Sequence, residues 1–410
     1  MQVFRPVAGD FFYFCTMGII LFDDNTHYTL RPLTFTRPVA DLRIGILTIA
    51  EKWGKYLRSD YSFYTQPWLA GKFPLKIQAE NLFINGAVCP DEGLLEQIGK
   101  LSEAEALTFE GQLIAVKLCE TDAGNFSPDA VFEKTVEVAQ APVIIKYPED
   151  IFRKNDTELR KDFKLLTKGR NSASISSTNT IIGSDFFAEE GAIADCSTFN
   201  TTNGPIYLAN NTEVWEGTHI RGAFAICEHS QVKMGSKIYG ATTVGPYCRV
   251  GGELNNAILW GYSSKGHEGY LGNAVVGEWC NIGADSNNSN LKNNYDDVKV
   301  WDYTTGRFRK TGLQFCGLIM ADHAKCAINT MFNTGTIVGV SANVFGAGFP
   351  RHFVPDFSWG GPHGYEVYSL KRMFETAEKV FSRRDHRQFD DNEKHIIKTV
   401  FEMTEEYRRF

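Results

Sequence analysis

Aliphatic side chains recur at every sixth residue through the second half of the chain. From Leu208 the series runs through Val214, Ile220, Ile226, Val232, Ile238, Val244 and Val250 without a miss. An α-helix repeats its apolar residues at three and four and a half-buried strand at two, so neither explains this period. Two residues before each member stand Ile206, Thr212, Thr218, Phe224, Ser230, Ser236, Thr242 and Cys248, mostly small or hydroxylated. One inward aliphatic per side with a small residue near each corner is the hexapeptide signature of a parallel β-helix. A weaker set at Ile181, Phe187, Ile193 and Phe199 precedes the run, and Met320, Cys326, Phe332, Val338 and Val344 follow in their own register. Two interruptions, SSKGHEGYLG at 263–272 and a polar stretch at 283–314, break the repeat. Each coil needs its stacked neighbours, so both are expected to protrude as loops. Both are rich in hydrogen-bonding side chains, as a small-molecule site requires.

The first half reads differently. GIILFDD, NLFING, LIAVKL and PVIIKY are strand-like, while RIGILTIAEKWGKYL and PDEGLLEQIGKL have helical spacing. Such alternation argues an α/β sheet. The charged stretch YPEDIFRKNDTELRKDFKLLTKGR is helical and leads into the solenoid, and the charged end from about Val367 reads as helices packed outside it. The expected division is 1–16 as a possible extension, 17–165 as the α/β domain, 166–365 as the β-helix and 366–410 as a helical tail. No G-x-G-x-x-G or Walker loop follows the first strand. The segment there, NTHYTLRPLTFTRPVAD, holds Arg31, Arg37 and Asp41. Two arginines at that place either clamp a nucleotide phosphate or pair with local carboxylates.

A net charge of −7 gives no electrostatic reason to bind nucleic acid or anionic membrane. No apolar run reaches the ~18 residues of a membrane span. The nine cysteines lie far apart, with no C-x-x-C pair and no Cys/His cluster at zinc spacing. They read as buried thiols of a reducing, cytoplasmic compartment.

The order of parts, an α/β domain followed by a hexapeptide helix with a histidine loop, resembles the bacterial GlmU proteins, and most closely their alternative GlmU-like type. The shared stretches include TFTRPVADLRIGILTIAEKW, CEHSQVKMGSKIYG, GYSSKGHEGYLGN, GEWCNIGADSNNSNLKNNY and FSWGG, over about residues 17–365. The resemblance implies a nucleotidyltransferase-like domain and a left-handed β-helix. It implies acetyl transfer from acetyl-CoA to an amino-sugar 1-phosphate such as glucosamine 1-phosphate, coupled to nucleotidyl transfer from UTP or another nucleoside triphosphate. The product would be a nucleotide sugar such as UDP-N-acetylglucosamine. A homotrimer is implied as well, and Mg²⁺ for the N-terminal domain.

Residue by residue, the family pattern places the catalytic histidine at His267, followed by Tyr270, Leu271 and Gly272. It assigns Lys265, Tyr270, Asn281, Asn294 and Lys299 to the substrate and Ala284 to acetyl-CoA, whose phosphates basic residues of the late coils would meet, with Arg351 as the candidate. Neutral imidazole titrates near pH 7, which suits a base that takes a proton from an attacking sugar amine. His229 and His323 fall inside the repeat and read as structural. The chain departs from the family in its first half. It lacks the glycine-rich phosphate loop, and Gly86 and Ala87 stand where the metal-binding aspartate belongs, which leaves the metal ligands unknown. Two rival readings therefore stand beside the first. One is a sugar-1-phosphate nucleotidyltransferase with a purely structural solenoid, and the other a non-catalytic sugar-nucleotide binding protein. Neither sugar, nucleotide nor N- against O-acylation is specified by the sequence.

Overall fold

The computed structural model describes residues 17–384 and 387–410, so the possible extension at 1–16 lies outside the described residues. The chain divides into two compact units. One comprises the described residues up to His27, Arg37–Leu42 and Leu47–Lys146, and the other Tyr28–Thr36, Arg43–Ile46 and Tyr147–Phe410.

The first unit is an α/β domain. Its strands are β1 (Gly18–Phe22), β2 (Tyr61–Tyr64), β3 (Glu80–Asn85), β4 (Val88–Cys89), β5 (Glu105–Phe109), β6 (Gln112–Cys119), β7 (Lys134–Glu137) and β8 (Val143–Ile144). Six of them form one mixed sheet in the order β2-β1-β3-β6-β5-β7. β1 runs parallel to β2 and β3, while β6 is antiparallel to β3 and β5. Ile20, Phe22, Phe83, Val116 and Leu118 form one core face, on which Phe126 stacks against Phe83 at 4.1 Å. The helix expected from Arg43 begins only at Ile49. Thr48 caps it by accepting from the Glu51 N–H, and Glu51 returns a bond to the Thr48 N–H. The residues before it are held elsewhere, since Gly45 N–H donates to Asn155 Oδ1 and Ile46 N–H to Asp162 Oδ2, both within the second unit. Tertiary bonds thus outbid local helical spacing.

The second unit is a parallel β-solenoid, preceded by the helix Pro148–Thr167 and followed by helices Leu370–Ser382 and Asp391–Met403. Its coils stack Leu208 on Ile226, Val244, Leu259, Val276, Met320, Val338 and Val354. A second column runs from Val214 through Val232 and Val250 to Lys265, and Ile282, Cys326 and Val344 continue it. All eight members of the period-six series lie in the core. The small residues two positions earlier are buried, and their hydroxyls bond backbone carbonyls at the turns, Thr212 to Ala209 and Ser230 to Gly245. In the first coil Phe199 stacks on Ile220 in the core as expected, but two sides are one residue out of the expected register. Ala188 and Ala194 face the core, while Ile193 is 58% exposed.

Neither interruption is a simple loop. Strands Glu253–Gly261 and Tyr270–Glu278 pair in parallel along their whole length, so 263–272 is part of the coil. The repeat fails because two successive corners are shorter here: Leu254 follows Val250 by four residues where Ile238 follows Val232 by six, and Asn255–Asn256 then carry one strand across the next corner, Asn256 with a φ of 49°. The second interruption folds as the hairpin Lys299–Asp302 with Arg307–Lys310, and Trp301 stacks on Phe353 at 4.3 Å. Among the described residues no helix is long and apolar enough to cross a membrane.

Candidate functional site

In open α/β sheets ligands collect at the carboxyl ends of parallel strands. In the first unit that edge carries Asp23, Asp24 and Asn85, directly after β1 and at the end of β3. Asp23 accepts from Val39 N–H at 2.8 Å and Thr65 Oγ1 at 2.5 Å, with His27 Nδ1 at 3.2 Å. Asp24 accepts from the Thr26 N–H and hydroxyl through one oxygen, and from Asn85 Nδ2 at 2.7 Å and Gln112 Nε2 at 2.8 Å through the other. Every carboxylate oxygen of the pair already has a donor of the chain itself. Magnesium demands carboxylate lone pairs in near-octahedral geometry. These residues as arranged do not fit it, and Gly86 and Ala87 bring no carboxylate to replace them. A side chain at Gly86 would meet Ala40 N and Phe22 O at 3.1 Å, so the turn Val39–Asp41 packs closely against this edge. Glu103, Cys119 and Asp122 come within ligand reach of one another, but at the other end of β6 and largely in solvent.

The two candidate arginines fall in different units. Arg37 is buried in the first and pairs with Asp41 at 3.1 Å. Arg31 belongs to the second, where its guanidinium lies over Tyr28 at 4.7 Å and Phe35 at 4.8 Å. Burial lowers its pKa against the opposing influence of nearby Tyr303, Tyr407 and Asp356. For Arg37 the geometry is that of the local-carboxylate reading.

The coil around His267 is the other concentration of sequence-nominated residues. His267 is exposed, at the corner after the two-residue strand Ser264–Lys265. Ser264 pairs with Asn281 on the next coil, whose side chain is also exposed. Further along, Asp285 N–H donates to Glu268 O at 3.0 Å and Tyr270 N–H to Asn287 Oδ1 at 2.7 Å. His267 and Ala284 therefore occupy matching positions of successive coils, about 4.8 Å apart in the stacking direction. The Tyr270 hydroxyl accepts from Asn290 Nδ2 at 3.0 Å and Asn255 Nδ2 at 3.4 Å, and Asn290 also bonds Asn273. These asparagines were not singled out in the sequence; the run NNSN at 287–290 was the signal, and its partners became visible only in the stack.

The glycines of the segment serve contact more than pliability. Gly269 has φ +113° and its missing side chain would stand 2.1 Å from Ser286 O. At Gly252, φ +76°, it would meet His267 O at 2.8 Å. Only glycine fits where such φ values and such close backbones coincide.

Lys265 is placed unlike a phosphate-binding lysine. It is 1% exposed, inside the aliphatic column, and its ammonium donates to Gly251 O at 2.8 Å and His267 O at 2.6 Å. Burial pushes its pKa down to about 8, with Glu268, Asp285 and Cys326 acting the other way. Asn294 sits in an exposed turn bonded to Asp296, and Lys299 is exposed on the hairpin. No hydrogen bond described here ties either to the His267 corner. Arg351 lies in a cleft of about 610 Å³ with Trp301, Phe308, His352 and Tyr407, and its guanidinium is 5.9 Å from the Tyr365 ring. His229 and His323 stack in a ladder with Tyr247, Tyr262 and Trp279 along one corner of the coils. Phe381 of the C-terminal helix covers it at 3.8 Å from Trp279.

Residues 19–171 match the family described as sugar nucleotidyl transferase. No curated protein matches the chain.

Proposed function

We propose that the chain is a two-unit transferase of nucleotide-sugar metabolism whose solenoid transfers an acetyl group from acetyl-CoA to an amino-sugar 1-phosphate at His267. The match of residues 19–171 to a sugar nucleotidyl transferase family supports the sugar-phosphate half of this reading. The observation that carries the acyl half is an exposed histidine whose backbone is in register with Asn281 and Ala284 on the neighbouring coil.

In this reading the His267 imidazole takes a proton from the sugar amine as nitrogen attacks the thioester carbonyl. The backbone N–H at Ala284 stabilises the oxygen that becomes negative. When the carbon–sulfur bond breaks, the imidazolium returns the proton to the CoA sulfur, which leaves as the thiol. Asn281 and Tyr270 orient sugar hydroxyls, and Arg351 in its basic and aromatic cleft takes the CoA phosphates. The trimer and the donor UTP belong to the same reading. Because every oxygen of Asp23 and Asp24 is engaged by a donor of the chain, no metal-dependent step is assigned to the first unit.

The test is release of CoA thiol from acetyl-CoA with glucosamine 1-phosphate, for the parent and His267→Asn. Turnover in the parent and its loss in the variant are expected; equal rates overturn the reading. The family match favours a second reading, nucleotidyl transfer with a structural solenoid. Pyrophosphate release from a nucleoside triphosphate and a sugar 1-phosphate, without thiol release, would establish it instead.

A further inference from the structure

A lysine in the middle of an aliphatic column needs a reason. Val214, Val232 and Val250 lie on one side of Lys265 and Ile282, Cys326 and Val344 on the other, and every one of these neighbours is core. Transferring an ammonium into such surroundings is costly unless hydrogen bonds compensate, and well-packed apolar replacements for buried charges are often neutral or stabilising. A methionine here would fill the same column without the penalty. What the ammonium does that methionine cannot is donate to two carbonyl oxygens at the coil's edge, those of Gly251 and His267.

The position of those bonds matters. Before the corner, Gly251 N–H holds Lys265 O; after it, Asp285 N–H holds Glu268 O and Glu253 N–H holds Gly269 O. Between these anchors lie Gly266 and His267, and the bond from Lys265 Nζ is the one described there. Gly266 gives that stretch wide backbone freedom. An exposed imidazole on such a peptide is placed only as well as the peptide is.

We propose that Lys265 is a positioning residue, which from inside the solenoid fixes the imidazole of His267 by holding its carbonyl oxygen. The inference rests on His267 being the reacting group for its kinetic consequence, but not for its structural one. The charged groups that face Lys265 are Glu268 on its own corner and Asp285 on the next coil, with the Cys326 thiol along the column. None of them replaces the bond to His267 O.

The experiment compares the full-length parent, Lys265→Met and His267→Asn. The His267 ring signal in nuclear magnetic resonance, identified by its loss in His267→Asn, is read without substrate. CoA-thiol release and thermal unfolding are read beside it. In Lys265→Met the ring signal is expected to shift and broaden or split, with unfolding at the parent's temperature or above. Since small misplacements of a reacting group cost up to about a hundredfold, kcat should fall about tenfold or more, with KM for acetyl-CoA within about twofold. An unchanged ring signal and unchanged kcat overturn the inference. So does a Lys265→Met chain that cannot fold, because the lysine is then needed by the coil itself. If the parent shows no thiol release but the ring signal still responds to Lys265→Met, the proposed reaction fails and the positioning stands. The reverse pattern, activity lost in His267→Asn but untouched in Lys265→Met, removes the positioning alone.

Discussion

The carboxyl edge of β1 and the coil corner at His267 are both crowded with polar side chains, yet they use them in opposite ways. At the strand edge each carboxylate oxygen has its donor from the chain: Asp23 accepts from Val39 N–H and the Thr65 hydroxyl, and Asp24 from Asn85 and Gln112. At the corner the backbone is tied down by Lys265 and by the neighbouring coil, while the imidazole of His267 and the amide of Asn281 face solvent. Polar residues that satisfy each other hold a fold; polar residues held from behind, with their own groups uncommitted, can act on something else. On the proposed reading of His267, the difference separates a constellation that holds the fold from one that acts on a substrate.

The comparison is broken most sharply at the corner. His267→Asn is expected to lower acetyl-CoA turnover by about 10²–10⁴-fold, the usual worth of a general base, with the unfolding transition unmoved because the side chain is exposed. Assays of thiol release and a thermal melt read both halves; an altered melt with intact turnover would reverse the assignment of the two regions. Ile238→Ala, in the core and stacked on Leu254, should instead lower stability by about 2–5 kcal/mol in denaturant unfolding, since it empties a fully packed column.

Asp24→Ala is the corresponding test of the strand edge. It strands the amides of Asn85 and Gln112 and the Thr26 donors, and about 1–3 kcal/mol of stability should be lost. A variant as stable as the parent would mean that Asp24 is available to a ligand after all. The smallest effect is one of pH. The Lys265 pKa is about 8 in the fold and near 10.5 when unfolded, so the unfolded chain binds more protons between those values. The penalty of burying the charged form is then fully present below pH 8 and fades as pH rises toward 10.5. The stability of the parent relative to Lys265→Met, measured by denaturant titration at pH 7, 9 and 10, should accordingly rise; a flat difference would mean the ammonium is not desolvated.

Much of the solenoid was legible because its signal is cumulative. Eight aliphatics at one spacing fix which side chains point inward, and the hydroxyl residues before them mark where turns need a carbonyl partner. The signal failed where a coil departs from the repeat. Ala188 and Ala194 replace the expected Phe187 and Ile193 in the terminal coil, and the corners at Gly251–Gly252 and Asn255–Asn256 are short, so that SSKGHEGYLG looks like an insertion. In the first unit the strands β2, β5 and β7 went unseen. YSFY, EALTF and KTVE are short and partly exposed, and their pairing along the sheet is what makes them strands.

The sequence by itself determined the inward columns of the solenoid and the α/β alternation of the first half. These depend on local spacing, which a periodic stack converts directly into position. Only the tertiary structure decided which polar groups are committed. Lys265 reads as a substrate-binding lysine of a protruding segment until Val250 and Ile282 are seen on either side of it, and Asn85 and Gln112, side-chain partners of Asp24, arrive from other strands. Hydrogen-bond partners far apart in the chain are set by packing, and no local pattern encodes them.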